Sequence, residues 1–191
     1  METGVEIDAA KIQSEAPDAL ILATGGLRDT LTVNGDGSAP VVDIESAMFT
    51  EMGENVIVYG SNAQAFDMAL WLTVHKKHVT MVTPNAAEEL DMQQSQHAMR
   101  MMTTALYALG FSAWPKASIQ SVNQNKAVIL TETGVEMEIA CDAIVNGADM
   151  LPNTSLLEGI AVSETYAIGD CAHPYNIAKA IHAGNDAGRT V

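Results

Sequence analysis

NVIVYGSNAQAFDMALWLTVH, residues 55–75, followed by VTMV at 79–82, decides the fold. Asn55 to Tyr59 is an apolar run without polar alternation, the pattern of a strand buried on both faces in a parallel sheet. Gly60 breaks it, and Phe66, Ala69, Leu70 and Thr73 then recur on one face at helical spacing. Val79 to Val82 supply the next strand, so residues 55–83 read as one right-handed βαβ unit.

Upstream, Asp18 to Ala23 is a second unbroken apolar run, closed by Thr24, Gly25 and Gly26, and Asn34 to Pro40 is a turn-rich connection between subdomains. Downstream, the spacing of Met99, Met102, Leu106 and Leu109 predicts a helix from about Met92 to Leu109, stopped by Gly110. Ser118 to Val122, Ala127 to Thr131 and Val135 to Ile139 have the lengths and turns of an antiparallel meander. Asp142 to Asn146 is another apolar strand, ending at Gly147. Thr165 to Ile168 is the last, with Gly169 and Asp170 at its carboxyl end and a helix from about Ile177 to Arg189 behind it. The expected class is α/β: a Rossmann-like parallel sheet with helices and an antiparallel meander.

Composition removes other readings. The 191 residues carry 9 Lys and Arg against 24 Asp and Glu, a formal charge of -15 that repels a phosphate backbone and argues against nucleic acid as a partner. At 48% hydrophobic and 17% charged, the chain is too apolar for disorder. No apolar run approaches the roughly 20 residues that span a bilayer, so no membrane segment is expected. Met1 to Ala10 lacks the basic and apolar regions of a signal peptide, making the cytoplasm the default location. Cys141 and Cys171 are too far apart for a metal knuckle or a redox CxxC pair and are read as reduced and packed. His75, His78, His97, His173 and His182 form no ligand pattern, so no metal site is expected. The acidic surface suits solubility or the steering of a basic partner.

The segment Gly60, Ser61, Asn62, Ala63, Gln64, Ala65 has the register of the dinucleotide fingerprint GxGxxG/A. Gly60 suits the tight turn and Ala65 the close helix packing. Asn62 stands where glycine lets the backbone approach a pyrophosphate, although asparagine tolerates a left-handed loop conformation. Thr83 and Pro84 stand where an acidic residue would bind the ribose. Local chemistry thus leaves a working nicotinamide site and a degenerate scaffold both open. Asp170, just past a buried strand and before a helix, can hydrogen-bond ligand hydroxyls or simply make a turn.

The order of these pieces resembles a known family. Ala23-Thr24-Gly25-Gly26, the Gly60 turn within βαβ, the meander, Asn146-Gly147 with Pro152-Asn153, and Tyr166-Ala167-Ile168-Gly169-Asp170 look like the two-dinucleotide-domain flavoprotein reductases. Ala180-Ile181-His182-Ala183-Gly184 with Ala187 and Arg189 is similar, more narrowly, to the C-terminal part of the trimethylamine dehydrogenase and 2,4-dienoyl-CoA reductase group. That group resembles Old Yellow Enzyme in an N-terminal barrel holding FMN, next to a cysteine-ligated 4Fe-4S cluster. The resemblance implies a C-terminal fragment of a larger oxidoreductase. Residues 1–38 and 151–191 would be a partial FAD- or ADP-binding domain and residues 39–150 an inserted NAD(P)-binding-like domain. Thr24 and Gly25 would line the FAD or ADP side, Gly169 and Asp170 would meet ribityl or ribose hydroxyls, and Ala178 to Ile181 would open the helix beneath the flavin. Gly60 to Ala65 would form the nicotinamide-side turn, with Asp67 where relatives commonly carry a glutamate.

Asn62 and Thr83 resemble the amine dehydrogenase branch, whose insert does not use NAD(P)H. The implied partners are a dinucleotide cofactor and the barrel of the parent enzyme, with a homo-oligomer admitted. No catalytic acid or base is assigned. The rivals are a degenerate scaffold binding ADP or no ligand, a stand-alone Rossmann dehydrogenase or methyltransferase, and a disulfide reductase. The last needs a CxxxxC or CxxC pair on the flavin, which this sequence lacks.

Overall fold

Val56 and Val58 face one apolar cluster and Ile57 the opposite one, all three being at most 1% exposed. This alternation explains why the run carries no polar residue: both faces of its sheet are covered, and each such side chain contributes about 1.5–3 kcal/mol. The computed structural model describes residues 3–87, 104 and 106–191. Its chain divides into two compact units, Met1–Asp29 with Met150–Val191 and Thr30–Asp149.

In residues 30–149, strands β3 (Asn34–Gly35), β4 (Val41–Asp43), β5 (Asn55–Tyr59), β6 (His78–Val82), β7 (Ser112–Trp114), β8 (Ser118–Asn123), β9 (Lys126–Leu130), β10 (Glu136–Ala140) and β11 (Ala143–Asn146) make two sheets. One is parallel with order β4-β11-β5-β6-β7. Helix α2 (Ile44–Ala47) and helix α3 (Ala63–Val74) pack on the face of Val42, Val56, Val58, Met81 and Val145. The other face, with Ile57, Val82 and Ile144, is closed by Val122, Ala127 and Ile129 of the meander, whose order is β10-β9-β8-β3. The α/β class with parallel sheet and meander is therefore as expected.

Two details differ from the sequence reading. The buried face of α3 is wider than the expected stripe, comprising Ala65, Phe66, Met68, Ala69, Leu72 and Thr73, with Leu70 only half-buried. Asn34 and Gly35 are not a bare connection, because they pair in parallel with Ser121 and Val122, so residues 30–38 pack with the inserted region. Most of the helix expected over Met92 to Leu109 lies outside the described residues. Residues 106–108 are helical, and Gly110 follows at φ 90° as a left-handed cap.

In the other unit, β1 (Ala19–Leu22) pairs in parallel with β13 (Glu164–Ala167), and β2 (Gly26–Arg28) pairs antiparallel with β12 (Met150–Pro152). Helix α1 (Ala9–Glu15) precedes β1, and the C-terminal helix α4 (Ile177–Thr190) follows β13. The apolar core here is small: among the described residues it comprises Ile12, Leu22, Cys171 and Ala187, while Ile21 is 42% and Ile177 79% exposed. No helix of the described residues is long and apolar enough to cross a membrane.

Candidate functional site

In the parallel register of β1 and β13, Leu22 is level with Ala167, and the Ile168 N–H donates to the Leu22 carbonyl at 2.9 Å. The two strands therefore end together and deliver two glycine turns to one sheet end. Thr24 and Gly25 leave the first strand. Gly169, Asp170 and Cys171 leave the second as a single 3-10 turn. Thr24 Oγ1 donates to the Asn153 carbonyl at 2.8 Å and reaches Cys171 Sγ at 3.3 Å, and the thiol donates to the same carbonyl at 3.1 Å. These bonds tie the turns to each other.

Gly25 adopts φ +74°, and a Cβ there would meet nothing within 4 Å, so its backbone is bare toward the outside. Asp170 is half-buried and accepts the Tyr175 N–H through Oδ1 at 3.3 Å. That bond aims the carboxylate while leaving it acceptor capacity for ligand hydroxyls. Asn176 caps α4, its side chain accepting the Lys179 N–H at 3.0 Å, and Ala178 lies exposed in the first turn. A Cβ on Gly169 would sit 3.4 Å from the Cβ of Ala180, so the turn and the first turns of α4 are in close approach. Thr24, Gly25, Gly169, Asp170 and Ala178 all belong to this one unit. A bare glycine backbone beside an aimed carboxylate fits a polyhydroxylated ligand such as the sugar part of FAD or ADP. Sequence reasoning missed the Asn153 carbonyl as the hub of the cluster, since a backbone acceptor leaves no side-chain signature.

The second turn sits between β5 and α3. Gly60 has φ +121°, and a Cβ there would overlap the carbonyl of Gly147. Gly147 in turn donates its N–H to the Tyr59 carbonyl at 2.8 Å. The glycine is thus required by a backbone crossing inside the protein. Ser61 is 2% exposed and its hydroxyl accepts from Asn85 Nδ2 at 2.8 Å. Ala65 is fully buried, and a Cβ on Gly147 would stand 3.1 Å from its methyl, which is the close packing expected of the third fingerprint position. Asp67 is exposed on α3.

Asn62 is not left-handed: at φ −80° and ψ 174° it is the extended N-cap of α3, its Oδ1 accepting the Ala65 N–H at 3.0 Å. Thr83 is 1% exposed and its hydroxyl accepts the Asn85 N–H at 3.2 Å, so it faces the interior instead of a ribose. These residues do not fit a bound dinucleotide: the pyrophosphate position holds a bonded side chain and the ribose position holds a buried hydroxyl. The partners of Asn62 and Ser61 escaped the sequence reading because they lie 85 to 87 and 24 residues away along the chain.

No group of three or more His, Cys, Asp or Glu able to hold a metal occurs among the described residues. Cys141 and Cys171 are both buried and free, and burial pushes the Cys141 thiol up to about 12, with the neighbouring Asp142 charge adding to it. Asp142 accepts the Asn55 N–H at 2.8 Å and Asn55 Nδ2 at 3.0 Å, which hold its carboxyl below its ordinary value. It braces the start of β5 and plays no part in either turn.

Residues 3–187 match the family model described as pyridine nucleotide-disulphide oxidoreductase. Over 176 residues the chain is 26% identical to the nitric oxide reductase FlRd-NAD(+) reductase of Vibrio vulnificus (strain CMCP6), covering 80% of this chain and 46% of that protein. In structure it is similar to histamine dehydrogenase from Rhizobium sp. 4-9, with a TM-score of 0.80 and 19% identity over 98% of this chain and 32% of that one. It is also similar to a 2-naphthoyl-CoA reductase solved with 2-naphthoyl-CoA, with a TM-score of 0.79 and 24% identity over 97% of this chain and 29% of that one. The chain therefore spans less than half the length of each.

Proposed function

From the membership of this chain in the pyridine nucleotide-disulphide oxidoreductase family, whose domain implies binding of FAD and NAD(P)H, we propose that it is the C-terminal nucleotide-binding part of a flavin-dependent oxidoreductase. The proposed parent is of the NAD(P)H:flavin oxidoreductase, enoate reductase or amine dehydrogenase type. Met1–Asp29 with Met150–Val191 holds FAD or ADP, and Thr30–Asp149 is a dinucleotide-type scaffold. The observation that carries this reading is the convergence of Thr24-Gly25 and Gly169-Asp170 at one sheet end, with the carboxylate aimed by Tyr175. The flavin, when bound, supplies the redox chemistry. The chain's own contribution is to orient it: Asp170 accepts sugar hydroxyls, the bare Gly25 backbone admits close approach, and the Thr24, Asn153 and Cys171 cluster keeps the turns in place.

Two further observations support a partial domain. A two-stranded parallel sheet with Ile21 exposed is unusual, since parallel sheets are wide and covered on both faces. The similar structures also extend well beyond the region matched, which accords with a barrel carrying FMN and an iron–sulfur cluster elsewhere in the parent. The scaffold reading of residues 30–149 is favoured by Asn62, whose side chain already bonds the Ala65 N–H and the loop after β11, and by Thr83, a buried hydroxyl where the fingerprint has a carboxylate.

The test is ADP- and FAD-dependent stabilisation of the purified chain. A ligand bound only by the folded state, at 100 times its dissociation constant, adds about 2.7 kcal/mol. Stabilisation that Asp170→Ala abolishes supports the reading. Stabilisation that survives Asp170→Ala, or none with either ligand, rejects it.

A further inference from the structure

The N-terminus of α3 is closed by the chain itself. In a working dinucleotide turn the residue at this position is glycine, because the backbone must approach a pyrophosphate whose oxygens take up the first N–H groups of the helix. Here Asn62 Oδ1 already accepts the Ala65 N–H at 3.0 Å. Its Nδ2 donates to the Gly147 carbonyl at 2.9 Å and to Asp149 Oδ1 at 3.1 Å, with the Ala148 carbonyl at 3.4 Å. One side chain thus bridges the start of α3 to the loop after β11. It also holds a carboxylate beside the positive end of the helix, where a phosphate would otherwise be favoured.

We propose that Asn62 and Asp149 are the specificity-determining pair of this turn: the amide fills the pyrophosphate position and the carboxylate repels phosphate charge, so the βαβ unit excludes dinucleotides. This rests on the reading of residues 30–149 as a dinucleotide-type scaffold and is separate from the nucleotide held near Asp170. The two roles differ in kind. Removing the amide frees the Ala65 N–H but leaves an exposed anion within reach of the helix end. Removing the anion alone leaves the amide in place. Neither single change therefore restores the site fully, and the pair acts as a unit.

The experiment is calorimetric titration of the whole chain with NADH, all variants carrying Asp170→Ala so that binding near that carboxylate does not contribute. The parent shows no binding of NADH at about 1 mM, the upper end of usual KM values. Asn62→Gly binds measurably, and Asn62→Gly with Asp149→Asn binds at least tenfold more tightly than the parent. Glycine is an accepted N-cap, so the fold is expected to survive. Should it not, Asn62→Ser with Asp149→Asn keeps a cap whose shorter side chain does not reach Gly147, and it carries the same expectation. The fluorescence of Trp71 and Trp114, both in Thr30–Asp149, reports folding of each variant. NADH binding by the parent as tight as by the double variant overturns the proposal. So does a folded double variant, glycine or serine, that binds no better than the parent. Failure of the chain with Asp170 intact to bind ADP would reject the reading of the other unit and leave these outcomes unchanged.

Discussion

Gly60→Ala separates a glycine kept for the fold from one kept for a ligand. At φ +121° a residue with a Cβ lies in a region populated almost only by glycine, a strain of about 1–3 kcal/mol. The new methyl would also overlap the Gly147 carbonyl, and overpacking of this kind typically costs about 1–3 kcal/mol more. Retreat of that carbonyl is resisted by the 2.8 Å bond from Gly147 N–H to the Tyr59 carbonyl. The expected loss is about 2–6 kcal/mol, a large part of the roughly 5–15 kcal/mol of a typical domain. With a urea dependence of about 1–3 kcal/mol/M, a loss of about 3 kcal/mol moves the midpoint down by about 1–3 M. Tryptophan fluorescence is the assay, since Trp71 and Trp114 both lie in the affected unit. Gly134→Ala, in the same unit, is the comparison: its φ of +77° costs about 1–2 kcal/mol, and nothing within 4 Å meets the methyl. A Gly60→Ala midpoint that does not move, or a Gly134→Ala loss equal to it, refutes the reasoning that the backbone crossing at Gly147 is what demands glycine at 60.

Three other outcomes are expected. Thr24→Val removes the donor to the Asn153 carbonyl at 2.8 Å and should cost about 1 kcal/mol in denaturant titrations, with an unchanged value counting against the tie between the two turns. Cys141 and Cys171, both buried, should resist an aromatic disulfide reagent in the native state and react fully only when unfolded, and stoichiometric labelling of native protein would contradict the burial. Asp142 has its folded carboxyl held below its ordinary value of 3.8, first by the Asn55 N–H, so its contribution is present above that value and is lost as pH falls through the lower folded one. The stability advantage of wild type over Asp142→Asn should therefore narrow below pH about 4, and a constant gap would show that the carboxylate charge contributes nothing.

Much of the inserted fold was legible because its signals are local. An apolar run, a glycine and a helical stripe within 55–75 specify strand, turn and helix, and the meander announces itself through Asn123 to Lys126 and Glu132 to Gly134 between short strands. What stayed illegible depends on closure between distant residues. Gly60 reads as a ligand glycine until Gly147 is seen against it. Asn62 reads as a failed fingerprint position until its amide is found on Gly147 and Asp149. The pairing of Asn34-Gly35 with β8 has no local signature either, since two turn residues do not form a strand pattern. At the other site the residue types Gly-Asp and Thr-Gly were visible, but their juxtaposition came only from the register of β1 with β13.

On the function proposed above, adenine nucleotide binds at the Thr24-Gly25 and Gly169-Asp170 turns and not at the Gly60–Ala65 turn. Amide chemical-shift mapping of the 20.2 kDa chain tests it most directly. Titration with ADP should move the amides of Thr24, Gly25, Gly169 and Asp170, while NADH leaves those of Ser61 to Ala65 where they are. Movement of the Asn62 and Ala65 amides with NADH, or an ADP titration that leaves the first set unmoved, would contradict the account.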